Sequence, residues 1–235
     1  MVHVRVHPEI FGIFPAFRRG LVLATGIDNH GTSEKLEGLL RNVLEERGKD
    51  PIDLKADARF QIWNEAHRAF GSNPNKFPPA HASLFKRVQK PGVQIPFINK
   101  VVAIMNWNSI ASGMPVGGDD LERAGGLLEL RRAGGEETFV PLGTPEVSEH
   151  PTPGEVIYVT GSGEVMCRRW NWRNGHTTRI TEETRDILMN IDGLGEGIEP
   201  SVLATRDKVA SMLQEFCSAR VVTALLSPPA PEFQF

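Results

Sequence analysis

The chain has 235 residues, 40% of them hydrophobic and 23% charged, a balance that buries a core and excludes a disordered or fibrous chain. Its 26 Lys and Arg against 29 Asp and Glu leave a formal charge of −3, so no global positive field holds a polyanion, and any nucleic-acid contact must use a local patch. No run approaches the roughly 20 apolar residues of a membrane span, and Met1 to Pro8 lack the charged-then-apolar layout of a secretion signal. Two cysteines without CxxC spacing, Cys167 and Cys217, suit core roles in a reducing compartment, so a cytoplasmic protein is expected.

Val2, Val4 and Val6 alternate with His3, Arg5 and His7, the period of a strand with one polar face. A second apolar run covers residues 21–24. Ser33 is placed to cap a helix in which Leu36, Leu39, Leu40, Val43 and Leu44 recur at helical spacing, with Gly48 just beyond. The next helix is expected over 57–70, burying Ile62, Trp63, Ala66 and Phe70. After a loop to Pro79, a short helix around 81–89 stops at Pro91-Gly92, and another follows over about 97–112.

The second half changes character. Residues 127–132, 138–142, 154–160 and 164–170 are short β-like runs between Gly-rich turns, with Thr160-Gly161-Ser162-Gly163 as a hairpin connection. Residues 143–154 read as an exposed loop. Residues 201–217 form an amphipathic helix, 221–226 an apolar strand, and 227–235, with three prolines, an irregular tail. This order describes an α+β fold, a helix-rich first half packed on a mixed or antiparallel sheet, without the βαβ alternation of a doubly wound sheet. Gly113-Met114-Pro115-Val116-Gly117-Gly118 lacks the Lys-Ser/Thr of a phosphate loop, which weakens a kinase or dehydrogenase reading.

Seven histidines are scattered with no HExxH and no zinc spacing, so neither a catalytic metal nor another cofactor is expected, and no Gly-x-Ser-x-Gly supplies a nucleophile. Three constellations remain. Asn99 and Asn106 are seven apart on one expected helix, nearly two turns, so both amides project from one face, as backbone caps or as a pocket wall. Pro115-Val116-Gly117-Gly118-Asp119-Asp120 pairs glycines that let backbone N–H groups reach a ligand with carboxylates that hold a hydroxyl, amine or water, or else forms a capped turn. Residues 167–181 contain Arg168, Arg169, Arg173 and Arg179, two of the four tryptophans and no acid. That mixture meets phosphates and unstacked bases, or pairs with Glu136, Glu137 or Glu182 around core tryptophans.

Read in order, Trp63-Asn64-Glu65-Ala66-His67-Arg68-Ala69-Phe70-Gly71, the loop to Lys76, Leu84 to Val88 with Arg87, and Ile95-Pro96 with Ile98-Asn99 carry a resemblance. Asn106, Pro115 to Asp120, Leu130-Arg131, Gly135-Glu136, Pro141-Leu142-Gly143, Pro153-Gly154-Glu155 and Cys167 to Arg173 continue it. Together they resemble the B3/B4-type domain, the tRNA-editing region of the phenylalanyl-tRNA synthetase beta chain, which also occurs as freestanding proteins. The likeness spans residues 1–226 as one domain and leaves 227–235 as a tail. It departs where the synthetase pattern Thr-Asn-Tyr stands here as Met105-Asn106-Trp107, and where Gly117 replaces a His.

The resemblance implies a freestanding, metal-independent aminoacyl-tRNA deacylase whose partner is the aminoacylated tRNA 3′ end. Asn106, Asp119 and Asp120 would be the catalytic residues, and Asn99, Gly117, Gly118, Arg131, Glu136, Trp170 and Asn171 would bind substrate. Lys76, Arg87, Arg168, Arg169 and Arg173 would hold phosphates of the acceptor end. Two alternatives are a non-catalytic module that binds tRNA ends, an amino acid or a nucleoside, and a small-molecule ester or amide hydrolase.

Overall fold

A computed structural model describes residues 1–90 and 92–235; Pro91, half of the expected helix stop, lies outside the described residues. In chain order the elements are β1 (His3–Val6), α1 (Pro8–Ile13), β2 (Phe17–Thr25), α2 (Glu34–Lys49), α3 (Ala58–Ala69), α4 (Ala80–Val88), α5 (Lys100–Ser112) and β3 (Val116–Asp120). Then come α6 (Leu121–Ala124), β4 (Leu127–Arg132), β5 (Val156–Thr160), β6 (Val165–Arg168), β7 (Arg173–Asn174), β8 (Asp186–Leu194), α7 (Glu199–Cys217), β9 (Arg220–Leu226) and β10 (Glu232–Gln234). The fold is α+β: a mixed six-stranded sheet ordered β10-β1-β4-β5-β6-β7 and an antiparallel four-stranded sheet ordered β3-β8-β2-β9.

Strand parity explains the layering. On β2, Val22 and Ala24 join Ile187, Met189 and Ile191 of β8 in a core with α2, α5 and α7. The opposite face carries Phe17, Leu21 and Leu188, which meet Val4, Val6, Leu128, Leu130, Val156 and Tyr158 of the larger sheet. The result is helices over the small sheet and the small sheet over the large one. Helix α7 approaches closely because Gly20 and Gly193 bare the backbone beneath it: a Cβ on Gly193 would lie 2.3 Å from Val202 Cγ2.

Helix starts follow their local signals, whereas Gly48, expected just beyond α2, lies inside it and Asp50 is the C-cap. Ser33 accepts from the Leu36 N–H and Asp57 from the Arg59 N–H, as N-caps of α2 and α3. Several expectations need correction. Asn99 does not lie on the face of α5: it is the N-cap, with extended backbone and its side chain accepting from the Val102 N–H at 2.9 Å. Residues 138–142 form only isolated bridges, Thr138 to Glu164, Phe139 to Glu149 and Pro141 to Gly175. The paired glycines at 117–118 lie in a strand rather than a turn. The tail is not irregular throughout, since β10 pairs antiparallel with β1. Among the described residues no helix is long and apolar enough to cross a membrane.

Gly193→Ala is expected to cost about 1–3 kcal/mol, because the new methyl must displace Val202 and Ile198 from the sheet. Urea denaturation checks this as a lowered midpoint at unchanged slope.

Candidate active site

The two sheets meet tightly except at one end, where a buried ion pair interrupts the apolar packing. Arg19 and Asp192 are cross-strand partners on β2 and β8, 2% and 4% exposed. Arg19 donates to Asp192 through Nε at 2.7 Å and Nη2 at 2.8 Å. The Trp170 indole N–H donates to the same carboxylate at 3.1 Å, and the Arg19 guanidinium carbon lies 4.7 Å from the centre of the Tyr158 ring.

Around this pair opens a cavity of ≈ 360 Å³. Asn190, Asp119 and Gly117 line it from the small sheet, Tyr158 and Cys167 from the large sheet, Met105 and Asn106 from α5, and Ser83, Leu84 and Arg87 from α4. His81, Trp170, Asn171 and Asn174 supply further wall. Six side-chain atoms in these walls are buried without a hydrogen-bond partner among the described residues: Arg19 Nη1, both ring nitrogens of His81, Tyr158 Oη, Asn171 Nδ2 and Asn190 Oδ1. Orphaned polar atoms of this kind are rare in a core and concentrate where a ligand completes them.

Backbone donors at the edge strand β3 follow from its ladder. The Asp192 N–H donates to the Pro115 carbonyl at 3.0 Å, so residues 115, 117 and 119 bond to β8, while 116, 118 and 120 turn their backbone groups to the open edge. There the Val116 N–H reaches Ser109 Oγ at 3.2 Å and the Asp120 N–H reaches the Thr178 carbonyl at 2.9 Å. Between them the Gly118 N–H has no acceptor among the described residues. Only Gly118 of the glycine pair therefore offers a free main-chain donor; the Gly117 N–H belongs to the sheet. A Cβ on Gly118 would lie 2.6 Å from Met189 Sδ and 3.1 Å from the Leu188 carbonyl oxygen, so a side chain there would have to move Met189.

The two aspartates separate cleanly. Asp120 caps α6 through the Arg123 N–H at 3.2 Å, accepts from the Thr184 hydroxyl at 2.7 Å and lies outside the cavity walls. Asp119 is 7% exposed and lines the cavity, with the Thr178 hydroxyl donating to Oδ1 at 2.6 Å. Burial pushes its carboxyl up to about 6, against the Thr178 hydrogen bond and the Arg19 charge, which favour ionisation. Burial and the Asp119 charge also push the Cys167 thiol up, which keeps it a thiol rather than a nucleophilic thiolate. Burial holds His81 down at about 3 and His67 at about 4, so both rings are neutral; His67 Nε2 meets Asn171 Oδ1 at 3.0 Å and orients that amide.

Of the residues expected at the site, Asn106, Asp119, Gly117, Gly118, Trp170, Asn171 and Arg87 share the cavity. Asn99 does not, being spent on its helix cap. Arg131 is held by Glu129 and Glu137 on β4 and the following turn, and Glu136 is exposed; neither reaches the cavity. Arg168 is 6% exposed and is locked by Glu155, at 2.9 and 2.7 Å, and by Glu149 at 2.7 Å, which removes it from any phosphate. The acid-free window finds its acids in other segments, and they are not Glu136, Glu137 or Glu182. Arg169 packs 3.7 Å from the Phe77 ring centre and 3.3 Å from Glu155. Lys76 is exposed beside Phe77, and Arg173 has no acidic partner among the described residues. Among the described residues no three His, Cys, Asp or Glu converge to hold a metal ion.

Arg19, Tyr158, Asn190 and Asp192 went unrecognised in the sequence. The available signal was parity: Asn190 and Asp192 alternate with Met189, Ile191 and Gly193, which places polar side chains on the face that Leu188 buries.

The B3/4 domain pattern matches residues 62–218, two-thirds of the chain and every cavity wall except Arg19. The chain belongs to the B3/4 domain family. Among solved structures, an N-terminal fragment of the phenylalanyl-tRNA synthetase beta subunit from Pyrococcus horikoshii aligns with a TM-score of 0.50 at 12% identity. The alignment covers 94% of this chain and 50% of that one. At such identity the likeness is one of fold, and the B3/4 chain spans half the length of the fragment. No curated protein matches the sequence.

The raised Asp119 pKa carries a stability consequence. The folded value exceeds the ordinary 3.8, so the folded state binds the proton more tightly, and the associated stability is complete below about pH 4 and lost as pH rises through about 6. Asp119→Asn is therefore expected to be more stable than the parent at pH 7.5, with the difference vanishing below about pH 4; thermal melts across that window check it.

Proposed function

We propose that this B3/4 protein is a freestanding aminoacyl-tRNA deacylase that hydrolyses the ester of a wrongly attached amino acid. The carrying observation is convergence: Asn106, Gly118 and Asp119, from a helix and an edge strand, border one cavity in a B3/4 fold. An aminoacyl ester is already activated, so its hydrolysis needs a positioned water, a base and donors for the developing oxyanion.

Asp119 is the base that fits. A carboxyl near 6 is ionised at neutral pH yet basic enough to take a proton. The water oxygen bonds to the ester carbonyl carbon while its proton passes to Asp119. The Gly118 N–H and the Asn106 amide supply hydrogen bonds to the carbonyl oxygen as it becomes an oxyanion. The carbon–oxygen bond to the ribose then breaks, and the ribose oxygen takes the proton from Asp119. Asp120 has no part in this chemistry because its oxygens cap a helix and bind Thr184.

Entry is from the rim, where Arg87 and Asn174 are exposed and Arg173 adjoins. These cations and Lys76 suit the phosphates of the acceptor end. Three such contacts to a single strand predict roughly a 10–20-fold loss of affinity between 50 and 200 mM salt; a small-molecule hydrolase would lack that dependence.

Incubating the protein with a panel of mischarged tRNAs tests the proposal. Release is expected from at least one of them, with a rate that rises through about pH 6 and plateaus. Asn106→Ala and Asp119→Asn are expected to lower it by about 100-fold or more. Ligand-induced stabilisation without release from any tRNA would leave a binding module instead.

A further inference from the structure

Gly117 and Gly118 are neighbours kept for different reasons. Gly118 faces the helical layer, where a methyl would have to displace the Met189 thioether and press on the Leu188 carbonyl. Gly117 faces the cavity, and a Cβ there would meet nothing within 4 Å. Its φ lies outside the left-handed region that requires glycine. Neither packing nor backbone conformation explains the absence of a side chain, yet glycine weakens a strand through its entropy and the contacts it lacks. What remains is the space it leaves in the cavity.

That space has a polar end. Asn190 lies directly across the ladder from Gly117, is 7% exposed, and its carbonyl oxygen has no partner among the described residues. Tyr158, 2% exposed, brings from the facing sheet a hydroxyl that closes no full hydrogen bond among the described residues; burial pushes its pKa up against the Arg19 charge and the nearby Asn190 amide, so it stays a neutral donor. A hydrocarbon group pressed against this end would leave both oxygens desolvated, whereas a hydroxyl or carboxamide satisfies them.

Building on the deacylase reading above, we propose that Gly117 is the specificity-determining position, the bed on which the amino-acid side chain of the substrate rests. Its tip, a hydroxyl or carboxamide, meets Asn190 and Tyr158. The substrate class is therefore tRNA charged with an uncharged polar amino acid longer than alanine.

The test uses isosteric pairs. One tRNA is charged in turn with threonine, valine, asparagine, leucine and alanine, and kcat/KM for release is measured with the parent protein, Gly117→Val and Tyr158→Phe. The parent is expected to favour threonyl over valyl and asparaginyl over leucyl esters by at least about tenfold. Gly117→Val should lose about tenfold or more on the threonyl and asparaginyl esters while staying within about threefold on alanyl. Tyr158→Phe should erase the preference within each pair at little cost in melting temperature, because the hydroxyl closes no full hydrogen bond among the described residues and only the Asn190 amide lies close to it. Equal release within the parent's pairs, or a Gly117→Val protein that melts normally and keeps every rate, overturns the assignment of the seat and leaves deacylation standing. Release from none of the five, nor from the wider panel above, overturns deacylation and this assignment with it.

Discussion

The Arg19–Asp192 pair is the constraint around which the protein is organised. A guanidinium between two sheets is tolerated only with a carboxylate in bidentate contact, and separating such a pair costs about 3–5 kcal/mol. Asp192 meets the demand and simultaneously accepts from the Trp170 indole. Trp170 is in turn clasped edge-on by Phe14, Phe17 and Trp63, at 5.0, 5.0 and 5.1 Å. The pair thus connects the small sheet to the segment after β6, and the apolar sandwich gives way to the cavity where this polar node begins.

That segment is held under backbone strain. Arg169 and Trp170 both adopt positive φ, 47° and 63°, a conformation that costs residues other than glycine about 1 kcal/mol or more each. The Trp170 N–H to Val156 carbonyl bond at 2.6 Å and the buried Arg168–Glu155 contact enforce it. Arginines that looked free to meet phosphate instead spend their charge on fixing the turn that presents Trp170 and Asn171. Positioning, rather than charge display, is the work of Arg168 and Arg169.

Several helix starts and the fold class were legible because they rest on local chemistry: Ser33 as the cap of α2, and the spacing of Leu36, Leu40 and Val43. Asn99 shows where such reasoning stops, since seven-residue spacing puts two amides on one face only if both are inside the helix, and Asn99 is its cap. The edge strand β3 was hidden by its glycines, which read as a turn but complete a ladder with β8. Asn106, Asp119 and Gly118 were visible as residues of the right kind. Arg19, Tyr158, Asn190 and Asp192 were not, because their meeting depends on the register of β2 with β8 and on the stacking of two sheets, with Arg19 more than a hundred residues from the other three.

Burial of both cysteines has a practical corollary. Cys167 and Cys217 are 8% and 0% exposed, and burial raises both, Cys217 to about 11. Alkylating dyes, which react with thiolates at accessible sulfur, will pass over the native chain. A single cysteine placed at exposed Ser83, on the mouth of the cavity, then becomes a site-selective handle for a fluorophore, and the protein reports occupancy of its own pocket without any native thiol being removed.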